Sequence, residues 1–320
     1  MLRRVLVLTL VLLLAACKRT DERAAFTDSR LPPGLAQADW PPEGWTWGLI
    51  QVGKDPPQRY GVSPALEARR AQVLILPGYD GLAEDEFAAA RDFNIRGYVV
   101  WVLEGQGQGG SARFVNPRDL GYARDFDGDV GAIRQMAAAV IRPTPAAPLI
   151  AIAYGTAAPE ALRAAQQGLA DASRLILVDP RFQPPGWPVD PAQARLMTRL
   201  GLGGWRAPGQ GRWRRQAADP DPLRHAWQAA NPDLRMGGTS YAWIAAFYDL
   251  TGKLDSGDWR RVASPVLIIE TGPTDAEAAR LCRLMADCRI EAAADAHAAE
   301  AAAVEAALPA TSLSNPDPGR

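Results

Sequence analysis

The chain has 320 residues, 48% hydrophobic and 22% charged, with 35 Lys and Arg against 36 Asp and Glu. That balance excludes a disordered or fibrous chain, and a net charge near zero speaks against a nucleic-acid partner. The high counts of 27 prolines and 10 tryptophans point to long ordered loops and to aromatic surface packed outside regular strands.

Arg3 and Arg4 precede an apolar run from Val5 to Ala16. The run is too short for a comfortable membrane span and has the pattern of a cleaved secretory signal, residues 1–16. It closes on Leu14-Ala15-Ala16-Cys17, which resembles the lipobox of bacterial lipoproteins. The resemblance implies cleavage before Cys17 and a lipid on its thiol, each buried methylene adding roughly 0.8 kcal/mol of membrane partitioning. An ordinary signal with a chance cysteine is the alternative. Lys18 stands where an Asp would imply inner-membrane retention, so the resemblance implies an outer-membrane anchor facing the periplasm. Loss of the leader takes the net charge from −1 to −3, and no later apolar stretch has membrane-spanning length.

Residues 17–44, polar and Pro-rich, read as the lipidated Cys and a tether. Trp45 to Tyr60 predicts a hairpin turning at Pro56-Pro57. Val73–Leu76, Tyr98–Leu103, Pro148–Ala153, Leu175–Val178 and Pro265–Ile269 are short apolar runs of buried-strand type. Helical spacing covers Ala83–Ile95, Phe126–Ile141 and Pro159–Leu169. Such alternation predicts an α/β fold: a mostly parallel central sheet with helices on both faces. Between Pro180 and Asp258 the alternation stops in a stretch too long for a loop, which predicts an inserted cap over 181–258. The core is then 45–180 and 259–310, with an Ala/Glu helix from Ala292 to Leu308 and a flexible tail at 311–320.

Ligand sites in open α/β sheets lie beyond the carboxyl ends of the strands. Leu76-Pro77-Gly78-Tyr79-Asp80-Gly81 follows the first core strand, and Gly105 to Ser111 the second. Gly105, Gly107 and Gly110 satisfy the dinucleotide spacing formally, but no helix start follows, so the signal is weak. No pattern calls for a cofactor or a metal, and none is expected.

Leu76-Pro77-Gly78, Arg96 to Trp101, Gly105 to Arg113, Phe126 to Asp129 and Asn231 to Trp243 together resemble the α/β-hydrolases of the lysophospholipase and monoacylglycerol lipase (serine aminopeptidase-like) group. The resemblance runs from about Trp45 to Ala299 and implies an α/β-hydrolase fold whose helical cap covers an acyl site. It also implies a nucleophile elbow, Gly-His-Ser-x-Gly-Gly, after the central strand. This chain has Ala153-Tyr154-Gly155-Thr156-Ala157-Ala158. The small residues around the turn survive and the Ser position is Gly155. Glycine adopts elbow angles without steric cost, so the turn can persist without a nucleophile. Thr156, the neighbouring hydroxyl, is an alternative nucleophile whose side chain would leave the turn in another direction.

The acid and the His should follow in that order. His297 aligns with the group's histidine, while His225 falls in the insertion and reads as a lid or surface residue. Asp275 lies one residue beyond the group's acid register, and Asp179, just before Pro180, is the alternative acid or simply a turn residue. Backbone N–H groups of Tyr79 and Thr156 are the candidate oxyanion donors. Cys282 and Cys288 form either a local disulfide, as an exported chain allows, or two buried thiols. The aromatic set Trp187, Trp205, Trp213, Trp227, Tyr241, Trp243 and Phe247 reads as lid core, or as an acyl pocket or membrane-facing patch. Arg206, Arg212, Arg214 and Arg215 form either a solvated face or a contact for anionic headgroups. Three functions follow as expectations: a non-catalytic protein binding a lipid or acyl ligand, a working ester hydrolase using Thr156 or a His297-activated water, and a structural envelope lipoprotein.

Overall fold

Strand β3 (Ala71–Leu76) is buried at every position and β5 (Leu149–Tyr154) at all but its last. Continuous apolar runs of this kind are stable only where helices cover both faces of a sheet. The computed structural model describes residues 23–168, 172–185, 189–215, 221–295, 298–299, 301–302 and 304. Around β3 and β5 it adds β1 (Thr46–Ile50), β2 (Gln58–Ser63), β4 (Tyr98–Leu103), β6 (Ala172–Val178), β7 (Val266–Glu270) and β8 (Cys288–Ala292). Their order across the sheet is β1-β2-β4-β3-β5-β6-β7-β8. β1 and β2 form the expected antiparallel hairpin, β2 runs antiparallel to β4, and the other pairs are parallel.

Alternate side chains of each strand enter different layers, as a period of two requires. Leu74, Leu76, Ala151, Ala153, Leu175 and Leu177 pack on one face with α2 (Asp127–Gln135) and α3 (Ala158–Gln166). Val73, Ile75, Ile150, Ile152 and Ile176 pack on the other with α1 (Phe87–Ile95) and Val304. The segment between β6 and β7 carries α4 (Pro191–Met197), α5 (Pro222–Ala230) and α6 (Tyr241–Asp255), and α7 (Ala276–Cys282) joins β7 to β8. Helix α6 starts on Ser240, whose hydroxyl accepts from the Trp243 amide. Its Trp243 and Phe247 rings stack 5.0 Å apart beneath Phe126. Burying each such ring is worth about 2–3 kcal/mol, so this inserted segment shares one core with the sheet.

Two expectations change. Residues 23–44, read as tether, are strapped along the molecule: Phe26 N–H donates to Gly110 O at 2.7 Å and Arg113 N–H to Arg23 O at 2.7 Å. Arg30 N–H reaches Asn231 Oδ1 at 2.7 Å. A polar segment settles this way because the core presents backbone partners and the inserted segment a side-chain amide along its path. Strand β8 is not among the expected strands, and it ends on Ala292, the first residue of the expected Ala292–Leu308 helix. It is short and mostly exposed, so it lacks the apolar run that would have marked it. Residues 298–299, 301–302 and 304 are helical.

Cys282 and Cys288 are joined as a disulfide with Cα atoms 5.4 Å apart, tying the end of α7 to the edge strand. The expected signal 1–16, Cys17, Trp187, His297 and the expected tail 311–320 lie outside the described residues. Among those described, no helix is long and apolar enough to cross a membrane.

Candidate functional site

β5 ends at Tyr154 in extended geometry, and the chain reverses at Gly155, with φ at +49°, into a single 3-10 turn and then α3. Pro159 in the first turn of α3 suits a helix start, where an amide would lack a partner anyway. A Cβ on Gly155 would meet nothing nearer than Arg181 Cδ at 4.0 Å. The elbow therefore keeps both its left-handed backbone and the open space into which a nucleophile would project.

Gly78 packs against this turn so closely that a Cβ there would lie 2.8 Å from Tyr154 O. Only glycine permits that approach. It brings the Tyr79 N–H onto Thr156 Oγ1 at 2.7 Å. Thr156 is buried, and its hydroxyl fills the partner position of a donor that an oxyanion hole would hold free. This assigns the Thr156 hydroxyl a hydrogen-bonding role inside the turn, away from the open side of Gly155.

The candidate carboxylates separate. Asp179, with φ at +43°, directly follows Val178, which pairs with Tyr154 across β5 and β6. Its two oxygens accept from Thr271 N–H and Thr271 Oγ1, both at 2.7 Å. The next residue but one, Arg181, donates its amide to Gly155 O at 2.9 Å. Asp179 thus lies beside the elbow with Thr271 as its partner. Asp275 caps α7, its Oδ1 accepting from Glu277 N–H at 2.8 Å and Ala278 N–H at 3.0 Å. His225 belongs to α5, where its ring stacks on Trp213 at 5.4 Å and Nε2 meets Arg215 O at 2.9 Å.

The loop over the elbow is bolted to the inserted helices by side-chain contacts of Tyr79 and Asp80. Tyr79 donates its hydroxyl to Gly237 O at 2.6 Å and sets its ring edge-on to Trp243 at 5.0 Å. Asp80 Oδ1 accepts from Gln228 Nε2 at 2.7 Å, and the Asp80 amide donates to Gln108 Oε1 at 3.0 Å. Only the positive φ of Asp80, +68°, hints at a special position, and Pro77-Gly78 before a short polar turn is its faint sequence signal.

The glycine-rich stretch has a structural cause. Arg59, fully buried, bonds Glu104 at 2.6 Å and Glu84 at 2.8 Å, and its guanidinium lies 4.0 Å from the centre of the Trp47 ring. Burial alone would lower the Arg59 pKa, but Glu104 and Glu84 outweigh it and hold the group charged. A Cβ on Gly109 would lie 2.3 Å from the Glu104 carboxylate, and one on Gly110 would lie 2.3 Å from Arg59. These glycines make room for an ion triad.

Below the elbow, Asp129 and Glu160 face a cavity of about 10 Å³ together with Gln58, Pro77 and Glu104. Asp129 Oδ1 accepts from Gln106 N–H at 2.7 Å and Gln58 Nε2 at 2.8 Å. Burial pushes Asp129 up to about 7 and, with the charge of Asp129, raises Glu160 as well. A separate cleft of about 270 Å³ opens beyond β6, lined by Phe182, Pro191, Arg195, Tyr248, Asp255 and Glu277.

The aromatic residues divide between interior and surface. Trp227, Trp243 and Phe247 are buried, as is Tyr241, whereas Trp205 is 62% exposed. Arg206 pairs with Asp119 at 2.7 Å, which removes it from the free basic cluster. Arg212, Arg214 and Arg215 are exposed.

A family model described as serine aminopeptidase, S33, matches residues 67–276, from β3 through the elbow and the inserted helices to the start of α7. No curated protein sequence matches the chain. Among solved structures, the chain is similar to the monoacylglycerol lipase of Paleococcus ferrophilus, with 14% identity and a TM-score of 0.56 over 77% of this chain and 88% of that one. It is similar also to a soluble variant of Saccharomyces cerevisiae monoglyceride lipase, solved with a substrate analog, with 16% identity and a TM-score of 0.55 over 82% and 89%. A lipase in its open form gives 12% identity and a TM-score of 0.60 over 82% and 99%. At these identities the likeness carries the fold.

Proposed function

The chain belongs to the serine aminopeptidase family, and from that premise we propose that it is an envelope lipoprotein whose α/β-hydrolase fold no longer hydrolyses and instead holds a lipid or acyl ligand. The single observation behind this reading is Gly155, which occupies the elbow with its left-handed backbone and with empty space where a nucleophilic side chain would stand. Acyl transfer by this fold needs an oxygen nucleophile activated by a histidine. Loss of such a nucleophile costs about 10⁶ in turnover in a serine protease, with about 10³ to 10⁴ over water remaining.

The contact between Tyr79 N–H and Thr156 Oγ1 supports the same conclusion. The residual catalysis of a nucleophile-less site rests on free oxyanion donors, and here one is already satisfied. The Thr156 hydroxyl is buried in that contact, which disfavours it as a replacement nucleophile. Cys17 is the proposed lipid attachment and the periplasmic face of the outer membrane the proposed location, both resting on the lipobox pattern.

Three measurements test the proposal. A fluorophosphonate probe should leave the wild-type chain unlabelled; covalent labelling lost on Thr156→Ala or His297→Ala would overturn the non-catalytic reading. Lipid extraction of the purified protein should release an acyl compound, and a clean extract would favour a structural role. Mass spectrometry of the N-terminal peptide should find Cys17 lipidated.

A further inference from the structure

One edge of the cap combines exposed apolar side chains with unneutralised positive charge. Leu196 is 55% exposed, Leu200 64% and Trp205 62%. They fall within ten residues of chain, on α4 and the turns that follow it. From 191 to 215 the sequence contains six arginines and no Asp or Glu. Arg195 is neutralised by Asp249 and Arg206 by Asp119, each at 2.7 Å. Arg199, Arg212 and Arg214 are exposed, and no acidic side chain among the described residues pairs with them.

The N-terminal segment reaches the same edge. Arg118 donates to Ala24 O at 2.9 Å, and the next residue, Asp119, accepts from Trp213 N–H at 3.0 Å and pairs with Arg206, the neighbour of Trp205. Residues 18–22 separate Cys17 from Arg23, a reach of about 20 Å at most at full extension.

We propose that this edge of the cap docks on an anionic bilayer surface, with Leu196, Leu200 and Trp205 entering the interface and Arg199, Arg212 and Arg214 meeting lipid phosphates. Charge complementarity selects the occupant. A row of arginines without acidic partners repels a second copy of the same surface, whereas an anionic leaflet attracts it. Tryptophan and leucine beside basic residues suit the headgroup boundary, where apolar bodies enter and charges stay wet. The patch stands on its own residues. The closeness of the anchor rests on the lipoprotein reading of Cys17.

The test is hydrogen–deuterium exchange on the full chain with phosphatidylcholine vesicles, with and without phosphatidylglycerol, alongside mass analysis of the Cys17 peptide and light scattering. Amides of 195–206 should become protected only with phosphatidylglycerol vesicles. Replacing Arg199, Arg212 and Arg214 by Gln should lower partition of the chain onto those vesicles by roughly 10²-fold, about fivefold per charge. L200S/W205S should remove the protection while leaving the rest of the exchange map unchanged. Protection without lipidation supports the patch and removes only the anchor. A lipidated, vesicle-bound chain whose 195–206 amides exchange freely overturns the patch and leaves the anchor standing. Protection that needs no vesicles and follows dimerisation also overturns it, because a second copy then covers the face.

Discussion

Serine at Gly155 is the most informative single change. The backbone there has φ at +49°, a left-handed conformation costing a side-chain-bearing residue about 1–2 kcal/mol. The new Cβ would approach only Arg181 Cδ, at 4.0 Å, so no steric penalty is added. Lower unfolded-state entropy returns about 0.4–1 kcal/mol. The net loss is then about 1 kcal/mol, a fall in Tm of roughly 2–4 °C, and Gly155→Ser should fold.

It should nevertheless react slowly with a fluorophosphonate, because Thr156 Oγ1 already takes the Tyr79 N–H at 2.7 Å. Removing one oxyanion donor costs about 10²–10³ in rate. The double variant G155S/T156A frees that donor and should label about 10² times faster than G155S, with release of p-nitrophenol from short acyl esters following the same order. If the double variant labels no faster than G155S, the Thr156 contact does not block the hole and the reasoning fails.

Other changes probe the scaffold. Asp129 titrates at about 7 in the fold because it is buried, against an ordinary carboxylate near 4. The folded state therefore holds the extra proton, so this group's stabilisation is lost as pH rises from about 4 to about 7. Asp129→Asn should flatten that decline, both by removing this group and by relieving Glu160 of its charge, and urea titrations at the two ends of the window measure it; an unchanged slope would show that Asp129 is not the group responsible. Arg59→Ala leaves Glu84 and Glu104 buried without their partner and should cost about 3–5 kcal/mol, visible as a large fall in Tm. Replacing both Cys282 and Cys288 by Ala opens a short loop and should cost about 2 kcal/mol. Reduction of the wild type should have a similar effect on its thermal midpoint, and no effect of either would show the bridge to be idle.

Much of this molecule was readable in advance because its strands carry their own signal. Val73–Leu76, Tyr98–Leu103 and Leu149–Ala153 are apolar enough that only a twice-covered sheet can hold them, and Gly155 follows the third at the position where the elbow must turn. The spacing of Cys282 and Cys288 admits a disulfide or two free thiols, since spacing alone does not orient two Cβ atoms. Strand β8 escaped because Cys288–Ala292 pairs only along one edge and is mostly exposed, so backbone pairing to β7 makes it a strand without a hydrophobic pattern. The lead-in reads as tether because polar, Pro-rich composition says nothing about the Gly110 carbonyl and the Asn231 side-chain amide that meet it from far along the chain.

Local chemistry in the sequence by itself determined the sheet, the leader pattern and the glycine at the turn after β5, because periodicity, a basic–apolar run and a residue at a turn are properties of neighbouring residues. Only the tertiary structure decided what became of the remaining site. Tyr79 meets Thr156 across 77 residues, Asp179 meets Thr271 across 92, and Asp129 meets Gln58 across 71. Which carboxylate caps a helix, which hydroxyl fills a donor's place and which arginines stay unpaired depend on where parallel strands end relative to one another. That register is set by packing across the whole sheet and leaves no trace in the residues on either side of each group.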